Sequence, residues 1–310
     1  TVVIGEVEDI WQEVLEDFSN GNLKKFYRNK HPVDLTKSPL PRYDLVKKEH
    51  YKVIWIQTTR GCPIDCEFCS ASKVFGLKLR HKKIDQVIKE IKLIKSLWEV
   101  PRISFADDNI VIDKKYAIEL VKELKSLNIR WFIQADISIG DDDVFLKLLK
   151  ESGCAIVFVG FESISKDSLK HTDRVGFKYN RVGKYQEYIK KIQSYGIGIM
   201  GAFIVGLDSD DASIFYRTAN FIVDNRLYAA QITVLTPLPG TRLRERLEKE
   251  SRLLSHPWDN YTFLDVNFIP KNMTPGVLQQ GLYDIYRKVY SQESAVKRAQ
   301  HFKQIYKSNK

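Results

Sequence analysis

The sequence predicts an α/β fold built on a parallel sheet, and two observations support this prediction. Between residue 53 and about residue 247, short runs rich in β-branched residues alternate with longer segments whose apolar residues recur at helical spacing. The short runs cover residues 53–58, 102–105, 131–135, 155–159, 198–205 and 230–235. Because parallel neighbours need crossover connections, six such units in a row predict a parallel sheet covered by helices.

Apolar periodicity marks the helices between these runs. The pattern is clear in two segments and looser in a third: Ile84, Val87, Ile88, Ile91 and Ile94; Ala117, Leu120, Val121 and Leu124; Val144, Leu146, Leu148 and Leu149. We therefore expect each of these segments to pack an apolar helix face against the sheet.

Polar residues follow every predicted strand. They are Thr58 and Thr59, Asp107 and Asp108, Gln134 and Asp136, Glu162 and Ser163, Asp208, and Thr236. A purely structural sheet does not require polar residues at these positions, and ligands of barrels and open α/β sheets bind at the carboxyl edge of the strands. The sequence therefore predicts a binding site at this edge.

The flanking segments have different patterns. Residues 2–4 predict a strand, Gly5 a turn, and the residues up to Phe18 an amphipathic helix, which together form a βα unit with no partner sheet of its own. Residues 20–48 contain several prolines and predict an irregular linker. At the other end, residues 255–270 predict irregular structure, and Thr274 and Pro275 predict the start of a helix that runs towards Tyr290. The polar, basic tail is expected to be frayed or helical at the surface.

Composition places the chain among globular proteins, with 44% hydrophobic and 28% charged residues. No apolar run reaches the roughly 18–20 residues that span a bilayer, and no basic and apolar leader opens the sequence, so we expect a cytoplasmic protein without a transmembrane segment. The formal net charge of +10 is compatible with anionic partners. A nucleic acid is not the expected partner, because no RNA-binding motif accompanies the charge.

Cys62, Cys66 and Cys69 lie in one short segment directly after the first predicted strand. This spacing brings three thiolates to one side of a compact turn, which suits an iron–sulfur cluster and leaves one iron without a protein ligand. Structural zinc is the alternative, with Asp65 or His81 as the nearest fourth ligand. A disulfide framework is not favoured in a chain with four cysteines and no secretory signal. The fourth, Cys154, is expected to be a buried apolar residue.

These cysteines, with Phe68 directly before the third, resemble the cluster motif of the radical S-adenosylmethionine (SAM) superfamily. The resemblance extends over residues 53–247 and includes the segments 104–109, 158–163, 202–208 and 236–241. It implies a partial (β/α)6 barrel, a 4Fe–4S cluster on the three cysteines, and SAM as a second cofactor. The implied reaction is reductive cleavage of SAM to a 5′-deoxyadenosyl radical.

The flanks resemble the members of that superfamily that carry an N-terminal cobalamin-binding domain. Residues 1–8 are similar to the last strand and turn of such a domain, although Val7 replaces a glycine, and residues 39–45 are similar to the lead-in to the barrel. The rest of the domain is not in this sequence, so cobalamin binding by these residues alone is left open. The implied domains are residues 1–48 as cobalamin-domain remnant and linker, 49–250 as barrel, and 251–310 as helical C-terminal extension.

The resemblance also implies roles for individual residues at the strand ends. Adjacent Asp107 and Asp108 point to opposite faces of an extended segment, so only one of them can face the site. We expect Asp108 to be the one that contacts the methionyl amine of SAM, and a helix N-cap is its alternative role. Glu162 and Ser163 contact the ribose and carboxylate of SAM, whereas a salt bridge to a lysine or arginine is the alternative for Glu162.

Three further positions complete the expected cofactor site. Gln134 contacts SAM or substrate, or else makes a hydrogen bond inside the barrel. Phe68 packs beside the cluster or the adenine, or else in the core. Gly206 lies in the segment similar to the strand that lines the adenine. No residue is assigned a catalytic role.

The function that follows is methyl transfer to an unactivated carbon, or a related modification, in association with cobalamin. The tail, with Trp258 and residues 267–274, resembles the extension of enzymes related to hopanoid-modifying ones, which implies a small-molecule or lipid-like substrate. A flavodoxin or ferredoxin is the implied electron donor. The alternatives are a radical SAM oxidoreductase or RNA modifier without cobalamin, and a non-catalytic zinc or iron–sulfur module.

Overall fold

The computed structural model describes residues 1–170 and 172–308. The strands are β1 (Val2–Ile4), β2 (Phe26–Arg28), β3 (Ile54–Ile56), β4 (Thr59–Arg60), β5 (Arg80–His81), β6 (Arg102–Phe105), β7 (Arg130–Ala135), β8 (Cys154–Glu162), β9 (Gly198–Val205) and β10 (Ala229–Val234). The helices are α1 (Trp11–Ser19), α2 (Ala71–Phe75), α3 (Ile84–Leu97), α4 (Lys114–Lys125), α5 (Asp143–Glu151), α6 (Lys166–Leu169), α7 (Tyr185–Ser194), α8 (Ser213–Asp224), α9 (Arg242–Lys249), α10 (Pro275–Val289) and α11 (Gln292–Ser308).

Within these residues, a six-stranded sheet in the order β10-β9-β8-β7-β6-β3 forms the centre of the molecule. Every neighbouring pair is parallel, so the predicted α/β fold is confirmed. The predicted strands correspond to β3 and to β6 through β10. The largest difference is β8, which continues to Glu162 because it pairs with a strand on each side.

The two faces of the sheet differ in burial. The helices cover one face, where Ile103, Trp131, Val157 and Phe161 are at most 1% exposed. The opposite face, here called the inner face, carries the side chains that alternate with these: Trp55, Arg102, Ser104, Arg130, Phe132, Gln134, Ile156, Phe158, Met200 and Gln231. Most of them are half-buried or exposed. Helix packing therefore stabilises one face and leaves the other accessible to a ligand.

The N-terminal segment differs from the prediction. β1 is not an isolated strand, because it pairs in parallel with β2, and β2 lies within the predicted irregular linker. The linker prediction failed because β2 is a three-residue strand, too short to show a period of its own. Its Tyr27 is 3% exposed and donates a hydrogen bond to Asp17 on α1 at 2.6 Å.

Glu6 attaches this N-terminal unit to the rest of the protein. Its carboxylate accepts hydrogen bonds from both terminal nitrogens of Arg80, at 2.7 and 2.9 Å, and from Arg60 at 3.2 Å. The bidentate geometry fixes direction as well as distance. These arginines lower the pKa of Glu6 against the opposing effect of burial.

The C-terminal extension is helical and packs on the end of the sheet. α10 begins as predicted, with Thr274 accepting a hydrogen bond from the backbone N–H of Val277 and Pro275 in the first turn. Its buried face packs against α8 and β10, and the tail forms α11. None of the helices in the described part of the chain combines the length and apolar composition needed to cross a bilayer.

Candidate functional site

The loop that carries the three cysteines follows β4 and is closed by backbone contacts. β4 pairs with β5, the Cys62 N–H donates to the carbonyl of Gly76, and the Cys69 N–H donates to that of Cys66. Gly61 has a φ of 93°, and a Cβ there would lie 2.3 Å from the carbonyl oxygen of Lys78. Glycine is therefore required at this position for the loop to close.

The three thiols lie close enough to influence one another. Burial raises the pKa of Cys62 and Cys69, and raises that of Cys66 to about 12; the charge of Cys69 raises the pKa of both neighbours further. Thiolates at such a site need a cationic partner, which iron provides. No two cysteines of the described chain form a disulfide.

The two residues predicted as the nearest fourth zinc ligands have other contacts in the structure. Zinc requires its ligands to meet at one point, whereas each thiolate of a cluster binds its own iron. Asp65 and His81, the proposed fourth ligands, have other partners. Asp65 pairs with Arg174 at 2.6 Å, and His81 stacks on Tyr116 with ring centroids 4.5 Å apart.

Asp107 holds the turn that leads into the cysteine loop. It is completely buried, and its carboxylate accepts hydrogen bonds from the backbone N–H and the hydroxyl of both Thr58 and Thr59. Burial raises the pKa of Asp107, and these four donors act in the opposite direction. Its role is therefore structural.

The neighbouring Asp108 lies close enough to the cysteines to influence their ionisation. Its charge raises the pKa of both Cys62 and Cys69, and burial raises its own pKa. Other residues make the helix caps that were the alternative role for Asp108. Asn109 caps the following turn, and Asp113 caps α4 by accepting a hydrogen bond from the N–H of Tyr116 at 3.0 Å. Contact between Asp108 and the amine of SAM stays a prediction.

Glu162 ends β8 at a bulge, with a φ of 62°, and forms an ion pair with Lys178. Lys178 also donates to the carbonyl of Gly160 at 2.8 Å. Burial would lower the pKa of Lys178, but Glu162 and Cys66 outweigh it, and the pKa is raised. The predicted salt-bridge alternative is thus present, and it holds the Glu162 carboxylate in one position.

A cavity of about 240 Å³ lies between the cysteine loop and the carboxyl edge of the sheet. Phe68, Cys69, Phe158 and Glu162 are among its lining residues. Phe68 also packs against the core, so both of its predicted environments occur together. The cavity brings thiolate, carboxylate and aromatic surface together, as binding of a charged, adenine-bearing cofactor requires.

Four of the predicted cofactor residues, Asp108, Gln134, Ser163 and Gly206, lie outside the lining of this cavity. Ser163 is 2% exposed, and its hydroxyl accepts a hydrogen bond from Ser165 N–H. Gly206 donates to Asp210 at 2.9 Å, and a Cβ on it would lie 2.7 Å from Leu278 of α10. Gln134 lies on the inner face, further from the cysteines. The structure gives Ser163 and Gly206 packing and turn contacts, and their cofactor roles stay predictions.

Sequence patterns did not identify Lys178 as part of the site. It belongs to the segment after β8, where Asp173 accepts hydrogen bonds from Val175 and Phe177 N–H, and where the Thr172 carbonyl accepts one from Glu67 in the cysteine loop. The Asp-x-x-Gly pattern of Asp173 and Gly176 indicates a turn. It carries no information about which strand end the turn approaches.

Removal of the Lys178 ammonium should destabilise the fold. A Lys178→Met variant keeps the apolar stem but leaves Glu162 unpaired, and both side chains are only 12% exposed. We expect a loss of about 2–4 kcal/mol in the free energy of unfolding, measured by denaturant titration of the iron-free protein. The exposed Lys190→Met variant is the matched control and should change stability by less than about 0.5 kcal/mol. Equal midpoints for Lys178→Met and the parent would contradict this role.

Comparison with known proteins identifies the same region. The family model described as Radical SAM superfamily matches residues 56–222, and a domain of unknown function (DUF4070) matches residues 241–310. Bacteriochlorophyllide d C-12(1)-methyltransferase of Chlorobaculum tepidum is 30% identical over 97% of this chain and 66% of its own length. Hopanoid C-2 methylase of Rhodopseudomonas palustris is 27% identical over 81% of this chain and 49% of its own length. The chain thus spans about half to two thirds of these relatives.

Solved structures with the same fold include two that hold cobalamin or a SAM analogue. OxsB, a cobalamin-dependent SAM radical enzyme solved with aqua-cobalamin and SAM, superposes with a TM-score of 0.69 at 14% identity, over 97% of this chain and 54% of its own. TsrM from Kitasatospora setae, solved with tryptophan and aza-SAM, superposes with a TM-score of 0.66 at 16% identity, over 94% and 61%. At these identities the likeness confirms the predicted barrel fold.

Proposed function

Because the chain belongs to the radical SAM superfamily, we propose that it cleaves SAM reductively and uses the product radical to modify an unactivated carbon of a small molecule, in association with cobalamin. The observation that carries the proposal is the position of the cysteine loop. It lies at the carboxyl edge of the sheet, beside Asp108, Glu162 and the cavity that Cys69 lines.

Each group at this edge has a task in the proposed reaction. Cys62, Cys66 and Cys69 would hold a 4Fe–4S cluster, which when bound supplies the electron that cleaves SAM to methionine and a 5′-deoxyadenosyl radical. Asp108 offers a carboxylate to the ammonium group of the cofactor. Lys178 orients Glu162 at the cavity wall. The aromatic rings of Phe68 and Phe158 exclude water, which protects a reactive radical from side reactions.

The N-terminal unit supports the association with cobalamin. Its sheet is parallel, and large apolar side chains on it are exposed: Trp11 49%, Phe18 66% and Phe26 49%. Parallel sheets are normally covered on both faces, so these side chains offer a surface for further elements of a domain. We assign residues 1–48 to the cobalamin-binding domain and its linker. The Glu6–Arg80 contact would then orient that domain relative to the barrel.

The relatives guide the expected chemistry. Two of them are named for methylation of a bacteriochlorophyllide or a hopanoid. We therefore propose methyl transfer, or a related modification, on a small-molecule or lipid-like substrate. A flavodoxin or ferredoxin would supply the electron.

Anaerobic reconstitution tests this function. The protein, incubated with iron and sulfide, should bind about four irons per chain, as a 4Fe–4S cluster requires. Addition of SAM and dithionite should then release 5′-deoxyadenosine, measured by liquid chromatography with and without added cobalamin. A colourless protein that binds a single zinc ion and releases no 5′-deoxyadenosine would overturn the proposal.

A further inference from the structure

Two arginines lie side by side at the amino ends of neighbouring strands on the inner face. Arg102 of β6 and Arg130 of β7 are direct partners in the parallel register, and both are exposed. Adjacent like charges are destabilising unless an anion lies between them. No ion pair within the described part of the chain involves either guanidinium. The pair is thus arranged to receive an anion, and arginine forks bind carboxylate and phosphate groups with two hydrogen bonds each.

The arginines open into an apolar cavity. Arg102 and Arg130 line a space of about 710 Å³ together with Trp55, Phe132, Ile156, Phe158 and Met200. This volume is within the roughly 300–1,000 Å³ range of small-molecule sites. Trp55 of the edge strand β3 is 55% exposed and packs edge-to-face on Phe132, with ring centroids 6.1 Å apart. A ligand with an apolar body would cover it.

Ser104 provides an independent indication of a ligand. It lies two residues after Arg102 on the same face of β6 and lines the same cavity. The residue is 1% exposed, and its hydroxyl has no hydrogen-bond partner among the described atoms. A buried hydroxyl without a partner costs about 1–3 kcal/mol. A polar group on a bound molecule would satisfy it.

The cavity continues to the cysteine site. Phe158 and Gln231 line both the cavity on the inner face and the one beside Cys69. β6 carries the chain from Arg102 to Phe105, about 10 Å towards the cysteine site, and Asp108 follows three residues later. A molecule longer than about 10 Å that is anchored at the arginines would therefore reach past the carboxyl end of β6, towards the site of the proposed radical.

We propose that the inner face binds the substrate of the proposed reaction as an apolar molecule with an anionic end, a carboxylate or a phosphate. Arg102 and Arg130 hold the anion, Ser104 donates a hydrogen bond, and the apolar body lies over Trp55 and Phe132. The assignment of this molecule as substrate rests on the proposed function. The binding property does not, because it belongs to the sheet face without any cluster.

Three probes with one alkyl chain and different ends test the site: dodecanoate, dodecyl phosphate and dodecanol. Titration calorimetry on the iron-free protein should show binding of at least one anionic probe, and comparison of the two identifies the preferred anion. The double variant Arg102→Gln/Arg130→Gln should bind that probe at least about tenfold more weakly and should bind dodecanol unchanged. Arg287→Gln on α10, 69% exposed and remote from the cavity, is the control and should bind like the parent.

Two results would overturn the inference. One is equal affinity of the anionic probes for the double variant and the parent. The other is the absence of binding of either anionic probe to the parent protein. The two proposals can fail separately, because 5′-deoxyadenosine formation is measured on the reconstituted parent protein and anion binding is measured on the iron-free protein.

Discussion

A Cys69→Ala variant is expected to lose both its iron and the formation of 5′-deoxyadenosine. Under the proposed function each of the three cysteines binds one iron, so removal of one thiolate leaves a second iron without a protein ligand. Cys69 also lines the cavity that Glu162 lines, so the loss occurs where SAM would bind. Mutation of a residue that supports a metal ligand lowers metal affinity or activity about 10–100-fold, and loss of a ligand itself should lower them further. Iron content per chain and 5′-deoxyadenosine yield are the two measurements.

Cys154→Ala provides the matched control. Cys154 is 5% exposed at the start of β8, and its thiol contacts only the carbonyl of Ile156 among the described hydrogen bonds. Its removal should cost about 1 kcal/mol of stability as a small cavity and leave the iron content intact. The proposed cluster site would be refuted if Cys69→Ala retained full iron and activity, or if both variants lost iron equally.

An Asp107→Ala variant is expected to lose about 3–5 kcal/mol of unfolding free energy. The carboxylate accepts two backbone N–H and two hydroxyl hydrogen bonds from Thr58 and Thr59 at a completely buried position. Each buried donor left without a partner costs about 1–3 kcal/mol, and part of that is recovered when the hydroxyls rotate. Denaturant titration of the iron-free protein measures the loss.

Asp108→Ala separates this structural role from a role in binding. Burial raises the pKa of Asp108, and no hydrogen bond or ion pair with another described residue lowers it. Removal of this carboxylate should therefore change the free energy of unfolding by less than about 1 kcal/mol. If the proposed function is right, this variant should still bind iron but form less 5′-deoxyadenosine. Equal destabilisation by the two alanine variants would show that the adjacent carboxylates are not divided between the two roles.

Most of the strand and helix pattern could be predicted because it depends on neighbours in the chain. β6 and β9 have the bounds that the sequence predicts. Alternate residues of each strand are buried on the helix-covered face of the sheet, which produces the detectable pattern. The same local logic predicted the cap of α10 at Thr274. β2 was missed because a three-residue strand has no detectable period, and only its pairing with β1 identifies it.

The candidate site was predictable in part. The cysteine spacing is a property of a few consecutive residues, and so is the division between Asp107 and Asp108, of which Asp107 is tied to Thr58 and Thr59 and Asp108 is near enough to influence the thiols. Ser163 and Gly206 were assigned by similarity of their segments. In the structure their surroundings depend on Ser165, Asp210 and α10, which the strand segments themselves do not specify.

The sequence by itself determined the order of βα units, the cysteine motif and the superfamily, because periodicity and spacing depend only on residues a few positions apart. Only the tertiary structure decided which distant groups meet. The Glu162–Lys178 pair and the Arg102–Arg130 register join residues 16 and 28 positions apart. Such contacts depend on the order of the strands in the sheet and on the paths of the loops between them. A local sequence pattern does not specify which distant residue a loop approaches.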